Sequence, residues 1–277
     1  MKPFFTIIIP TLNEEKFVGN LLEDLTKQTF KDFEVIVIDA QSADKTNEIV
    51  SGFNNQLKIQ FRKTTKRNVS FQRNWGAKIA RGNYLSFIDA DARITKAYLQ
   101  KLRTYISKNR GLLFLPSISA STNDPQLNIA IDFANAFVAL SQKIGRPFST
   151  GGSMIVEKNF FYLIGGFPEN AVLSEDHLLV NMAYKYGVHA KFLSHIRIRF
   201  SIRRFQREGK LETLIKYIKS TIHFLIKGKV DKKVIEYEMG GHLYSKESKK
   251  AFKDFIRIQP QKLLKMLNSS ISTFLKG

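Results

Sequence analysis

Two aspartates one residue apart, Asp89 and Asp91, close the apolar and aromatic stretch Asn83-Tyr84-Leu85-Ser86-Phe87-Ile88-Asp89-Ala90-Asp91-Ala92. The stretch reads as a short buried strand, and nothing in a hydrophobic core calls for such an ending. Carboxylates at i and i+2 repel each other unless a cation lies between them or their chemistry uses both. At the carboxyl end of a strand in an open α/β sheet, both can turn into the crevice where ligands bind. There they can hold a hard divalent ion whose other positions go to water and phosphate oxygens. By itself an Asp-x-Asp also serves as a plain polar turn. Two further apolar runs end in the same way. Phe4–Pro10 leads into Thr11-Leu12-Asn13-Glu14, and Phe33-Glu-Val-Ile-Val-Ile-Asp39 ends in a carboxylate. Strand ends along one edge of a parallel sheet converge in space, so the three together weigh more than any one.

The elements that would position these groups alternate along the chain. Phe4–Pro10 and Phe33–Asp39 are continuous β-branched and apolar runs, the pattern of strands buried on both faces. Leu57–Phe61 reads as a third strand, Leu112–Pro116 and Ser153–Glu157 as later ones. Helices are expected from Thr11 or Asn13, either able to cap, to about Gln28 with Phe17, Leu21, Leu22 and Leu25 inward. Others are expected around Ile49-Val50, over Ser70–Arg81 closed by Gly82, over Lys96–Ser107, and over the apolar Leu127–Lys143. Phe160–Leu163 starts a short helix, and Ser174-Glu175-Asp176-His177 opens one running to about Tyr186, with Ser174 as its cap. His189–Ser201 alternates, with Ile196, Ile198 and Phe200 on one face and His195, Arg197 and Arg199 on the other. Strands alternating with helices across short turns predict an α/β domain with a mostly parallel central sheet and helices on both faces.

The chain has 277 residues, no cysteine and a net charge of +20. The absence of cysteine excludes disulfides and cysteine-based zinc or nucleophile chemistry. No run of eighteen apolar residues occurs, so a membrane-spanning helix is not expected, and the opening segment lacks the form of a signal peptide. The charge is uneven: Arg197–Gly277 holds 20 Lys and Arg against 7 Asp and Glu. Such a tail points to an anionic surface or to a solvated basic face.

In order, these motifs resemble family 2 glycosyltransferases with a GT-A fold. The resemblance covers roughly residues 4–200. It is carried by Ile8-Ile9-Pro10-Thr11-Leu12-Asn13-Glu14-Glu15, by Val35–Asp39 with Ala40-Gln41-Ser42-Ala43-Asp44, and by Gln72-Arg73-Asn74-Trp75-Gly76-Ala77. Asp89-Ala90-Asp91, Gly151-Gly152, Gly165-Gly166-Phe167 and Glu175-Asp176 follow in sequence. The resemblance implies transfer of a sugar from a nucleotide-diphosphate sugar, a UDP-sugar favoured, to an acceptor hydroxyl with inversion. It implies Mn2+ or Mg2+ at Asp89 and Asp91, which would neutralise charge developing on the diphosphate. The donor site would comprise Pro10, Thr11, Asn13, Glu14, Asp39, Ser42, Arg73 and Asp89, with Asp39 accepting from the base and Arg73 bonding base or phosphate. Gly151-Gly152 would let backbone approach the sugar. Asp176 would be the general base, with Glu175 shaping the site. A carboxylate in the first turn of a helix is also a plain stabilising feature.

The chain departs from the pattern after the strand ending at Phe200. Many relatives carry a histidine there, a candidate further metal ligand; here the residues are Arg199-Phe200-Ser201, and His195 lies earlier. The segment that follows holds Arg203 and Arg204, which resemble a basic pair able to reach the diphosphate or an anionic acceptor. A domain division at 1–201 and 202–277 is expected, the second a basic helical appendage. Within it Leu211–Ile226 and Gln261–Leu275 have apolar residues at helical spacing among lysines, which suits either an anionic membrane interface or packing on the domain. The expected partners are a nucleotide-sugar donor and a glycan or lipid-linked acceptor, in a cytoplasmic protein peripheral to the membrane. A nucleotidyltransferase would want a glycine-rich basic loop after the first strand, where this chain has Thr-Leu-Asn-Glu-Glu. Nucleic-acid binding is suggested by the pI near 10.0, yet no recognised motif is present and acidic strand ends repel phosphate without a metal.

Overall fold

A computed structural model of the chain describes residues 2–120, 124–143, 145, 147–149, 151, 153–171 and 174–201. The expected appendage 202–277, with Arg203, Arg204 and both amphipathic segments, lies outside the described residues, as does Gly152.

Three β–α pairs come first: β1 (Phe5–Thr11) with α1 (Val18–Thr26), β2 (Phe33–Asp39) with α2 (Thr46–Ser51), and β3 (Ile59–Lys63) with α3 (Val69–Ile79). β4 (Tyr84–Ile88) and α4 (Tyr98–Asn109) follow, then β5 (Leu113–Ala120) and α5 (Pro125–Ser141). β6 (Ser153–Glu157), α6 (Lys158–Leu163), α7 (Glu175–Lys185) and β7 (Lys191–Phe200) complete the described chain. The strands form one seven-stranded sheet in the order β3-β2-β1-β4-β6-β5-β7. β1 is parallel to β2 and β4, β2 to β3 and β5 to β7, whereas β6 is antiparallel to both its neighbours.

β1 shows why the apolar runs read as doubly buried. Phe5, Ile7 and Ile9 point into a core with Leu21, Leu22, Val50 and Leu102 from α1, α2 and α4. Ile8, Ile36 and Ile38 point the opposite way, against Ala77, Phe160, Phe161 and Leu179 from α3, α6 and α7. Each such side chain removed from water contributes about 1.5–3 kcal/mol before chain entropy is counted.

Several expected details differ. Thr11 and Asn13 do not cap α1, whose cap position is Phe17 with no side-chain bond. Their side chains bond elsewhere, Thr11 to Asp39 and Asn13 to the Ala43 amide. Ser174 precedes α7 with a left-handed φ of 66° and makes no capping bond. Gly82 does not close α3, which ends at Ile79. It lies where a Cβ would come within 2.6 Å of the Thr6 nitrogen, so it is needed for close approach of two backbones. β5 runs four residues beyond Pro116 because, past a register shift, Ser117–Ala120 pairs with Arg197–Phe200 of β7.

The antiparallel course of β6 matters for function. Its first residue, Ser153, pairs with Ile88, the last of β4. The loop entering β6 is thereby set beside the Asp89–Asp91 turn, at the same edge where β1 and β2 end.

Candidate active site

The ends of β1 and β2 are laced together by side chains. Asp39 is fully buried, and its carboxylate accepts from the Thr11 hydroxyl (2.8 Å), the Ser42 amide (2.9 Å) and the Ser42 hydroxyl. The Ser42 hydroxyl in turn accepts the Asn13 amide at 2.8 Å, and the Glu14 amide donates to Thr46 at 2.8 Å. Asn13 and Gln41 hold left-handed φ angles of 54° and 55°, which these bonds stabilise. Gln72 of α3 donates to the Thr11 and Ile38 carbonyls beneath them. Asp39, expected to accept from a base, here accepts from Thr11 and Ser42 and so ties together the loops that carry Thr11, Asn13 and Ser42.

Arg73 stands at the centre of the edge. Its Nη2 donates to Asp89 Oδ1 at 2.8 Å and its Nη1 to Glu175 Oε1 at 2.7 Å. The guanidinium lies over the Phe167 ring, 5.2 Å from its centroid, and its Nε is buried with no hydrogen-bond partner. Burial alone would weaken its charge, but Asp89, Glu175 and Asp176 outweigh this and hold it protonated, its pKa above the usual arginine value. The guanidinium, read from sequence as a ligand of base or phosphate, is here the link between the Asp-x-Asp turn and the start of α7.

The paired carboxylates of α7 are pushed apart. Burial raises Glu175, and Asp176 beside it adds to that, more than Arg73 can offset. For Asp176 burial also pushes upward, but His177, Arg73 and the Ser149 hydroxyl together hold it below the usual aspartate value. His177 Nδ1 accepts the Ser149 amide at 3.0 Å. Gly151 has φ +69°, and a Cβ there would lie 3.4 Å from Asp176 Oδ2. Gly151, Ser149, Ser153, Arg73 and Asp176, with Phe87, Met154 and Phe167 as an apolar floor, line a small cleft open to solvent.

The Asp89–Asp91 turn is fixed from behind by groups the sequence reading missed. Arg93 donates twice to buried Asp24 of α1, at 2.7 and 2.8 Å, and the Ile94 amide adds a third bond to it. The Arg93 and Arg199 backbones form an isolated antiparallel bridge, so the end of β7 lies against this turn. Asp24 among Leu21, Leu22 and Leu25 was the available signal: an acidic residue on an apolar helix face demands a partner. Ser149 offered no such signal in its spacing.

Asp89 and Asp91 suit a hard divalent cation. Asp89 is 37% exposed at its side chain and gives only one of its oxygens to Arg73 in the bonds described above. Among the described residues no group of three His, Cys, Asp or Glu side chains gathers around a common point. An ion here would thus take most of its shell from water and diphosphate oxygens, as magnesium-class ions do. His195 is not brought to these aspartates; its ring packs 5.6 Å from that of Tyr105 on α4.

Comparison with known proteins gives the family and the fold. The profile of Glycosyl transferase family 2 matches residues 6–164. The chain is 29% identical over 188 residues to the poly(ribitol-phosphate) beta-N-acetylglucosaminyltransferase TarS of Staphylococcus aureus, a match covering 65% of this chain. It spans about a third (32%) of that relative's length. The crystal structure of S. aureus TarS 1–349 in complex with UDP-GlcNAc superposes with a TM-score of 0.60 at 26% identity, over 73% of this chain and 58% of that one. The mannosyltransferase PcManGT from Pyrobaculum calidifontis, in complex with GDP-Man and Mn2+, shares the fold at a TM-score of 0.61 and 20% identity, over 79% of this chain and 65% of that one. With the family profile matched across more than half of its residues, this chain belongs to glycosyl transferase family 2.

Proposed function

We propose that the protein is an inverting glycosyltransferase that moves a sugar from a nucleoside-diphosphate sugar, a UDP-sugar by preference, to an acceptor hydroxyl of a glycan or lipid-linked glycan. One observation carries the reading: Arg73 bonds both Asp89 of the Asp-x-Asp turn and Glu175 beside Asp176, so the motif for a diphosphate and the candidate base are joined by one guanidinium. The UDP preference rests on the likeness to TarS, whose complex holds UDP-GlcNAc.

In this mechanism Pro10, Thr11, Asn13, Glu14 and Ser42 form the nucleoside side, held in shape by Asp39. Gly151 admits the sugar beside Asp176, and Gly152, Arg203 and Arg204 are assigned to the donor site from the sequence alone. Asp176 takes the proton of the acceptor hydroxyl while that oxygen bonds to the anomeric carbon from the face opposite the leaving group. The bond from the anomeric carbon to phosphate breaks, and the nucleoside diphosphate departs with its electron pair. A single displacement of this kind inverts the anomeric centre. A bound Mn2+ or Mg2+ at Asp89 and Asp91 would supply charge neutralisation on the departing diphosphate. Arg73 holds Asp89 in place and keeps positive charge beside Asp176, and Glu175 orients Arg73. The depressed Asp176 leaves the base ionised at neutral pH.

Screening nucleotide sugars for thermal stabilisation, with and without Mn2+, tests the donor assignment. One class of UDP-sugar should raise the melting temperature in a metal-dependent way, and Asp91→Ala should abolish that dependence while keeping the fold. The product anomer, read by NMR coupling constants, tests inversion. Undiminished turnover in excess chelator would overturn the metal assignment, and a retained anomeric configuration would overturn the single displacement.

A further inference from the structure

We propose that α5 is the docking surface for a segment of this same chain, the basic amphipathic stretch Leu211–Ile226. α5 is apolar on two sides. Leu127, Ile131 and Val138 are buried against the sheet. On the opposite side Ile129, Phe133 and Leu140 are 69%, 74% and 56% exposed, in line with exposed Ala136. The spacing of these four, i, i+4, i+7 and i+11, forms one stripe along the helix. A helix apolar all round is a helix meant to be covered.

Three observations select the occupant. First, the described chain leads towards this helix. Phe200, next to the last described residue, pairs with Ala120 of β5, and α5 packs on β5, where Asn135 bonds both the Ile118 amide and its carbonyl. Nine residues lie between Ser201 and Leu211, a reach of up to about 35 Å when extended, whereas a 17-residue helix is about 25 Å long. Second, the candidate segment carries a complementary face, with Leu214, Ile218, Ile222 and Leu225 at i, i+4, i+8 and i+11, a stripe of the same eleven-residue length. Third, the charges fit. α5 contains no lysine or arginine, and its one acidic residue, Asp132, is exposed beside the stripe. The segment offers Lys216 and Lys219 off its apolar face. The same charge disfavours the other occupants. An interfacial helix on anionic lipid is rich in lysine and arginine, which α5 lacks. A two-fold contact between copies of α5 would bring each Asp132, near mid-helix, close to its own counterpart.

The chain has no cysteine, so paired cysteines report proximity without background. In the full-length protein, Phe133→Cys with Ile218→Cys should join under mild oxidation or a short bismaleimide and run as a compacted monomer. Phe133→Cys with Lys219→Cys should join far less. Ile222→Cys replaces Ile218→Cys should the latter fail to fold. In parallel, Phe133→Asp should lower the melting temperature of the full chain by about 4 °C, because a docked ring loses its cover while a solvated one loses nothing. Cross-linked dimers in place of compacted monomer would assign the stripe to a second copy. Protection of the single variant Phe133→Cys from thiol labelling only in the presence of anionic vesicles would assign it to membrane. An unchanged melting temperature with no cross-link would leave the stripe to solvent. Each of these three outcomes overturns the proposal.

Discussion

Asp39, fully buried, and Asp176, mostly buried, are carboxylates at the same ligand edge, and their surroundings give them opposite work. Asp176 borders the cleft, with its charge favoured by His177, Arg73 and Ser149. Asp176→Asn should keep donor binding near wild type and slow transfer by about 10²–10⁴-fold, the usual worth of a positioned base. Asp39→Asn should do the reverse. An amide turned towards three donors loses bonds from Thr11 and Ser42, loosens both loops by about 1–3 kcal/mol and weakens donor affinity more than bound-state turnover. Titration calorimetry and single-turnover rates separate the two. Arg73→Gln belongs to the same scale. It leaves Asp89 and Glu175 unpaired, at a cost of about 3 kcal/mol, towards the low end for a buried pair because Asp89 is partly solvated. Without the cation both Asp176 and Glu175 move upward, so the acid limb of the pH–rate profile should shift to higher pH. The signs for stability follow. Asp176, depressed in the native protein, stabilises above its unfolded value, and that contribution is lost as pH falls through its folded one. Glu175, raised, stabilises at low pH, and its contribution is lost as pH rises. The stability deficit of Arg73→Gln should accordingly narrow on acidification, which denaturant titrations at several pH values would measure.

At the scale of elements, α3 explains why its motif residues occur together. Gly76 faces β1, where a Cβ would come within 2.5 Å of Ile8 Cγ2. Three residues earlier Arg73 spans to β4 and α7. Between them Asn74 donates to the Phe167 carbonyl (2.8 Å) and accepts its amide (2.9 Å), pinning the turn Gly165-Gly166-Phe167. One helix thus seats itself on the first strand and holds two later segments. Gly76→Ala should destabilise by about 1–3 kcal/mol through overpacking, by lifting α3 and with it Arg73. Asn74→Ala should cost about 1–3 kcal/mol by leaving the turn's backbone groups unpaired. Chemical denaturation of each variant measures the loss. A neutral Gly76→Ala would mean that α3 sits further from β1 than described.

For the whole molecule the governing quantity is charge. The net +20 is concentrated after Arg197, and among the described residues no helix is long and apolar enough to cross a membrane. With Leu211–Ile226 assigned to α5, the segment Gln261–Leu275 is the one left for an anionic surface. The full chain should bind vesicles containing acidic lipid and release as ionic strength rises past about 0.15 M, where the screening length falls to roughly 8 Å. Removal of Gln261–Gly277 should weaken that binding, which vesicle co-sedimentation reports. Equal binding to neutral and acidic vesicles would remove the electrostatic basis.

The sequence by itself determined the strands and named the candidate site residues. β2 and β6 stand at the bounds their apolar runs announced, Phe33–Asp39 and Ser153–Glu157, because a strand buried on both faces admits little else. Asp89, Asp91, Glu175 and Asp176 were legible as residue types at strand and helix ends, and Arg73 and Gly151 through the family resemblance, since such motifs are local in the chain. What each side chain bonds to was decided by tertiary structure alone. That Asp39 bonds Thr11, and Arg73 bonds Glu175, depends on partners 28 and 102 residues away. The antiparallel turn of β6, which sets Gly151 beside the Asp-x-Asp turn, depends on the order in which the strands pair. Periodicity records which face of an element is buried. It carries no term for which polar groups meet across the fold, and the geometry of this site is made almost wholly of such meetings.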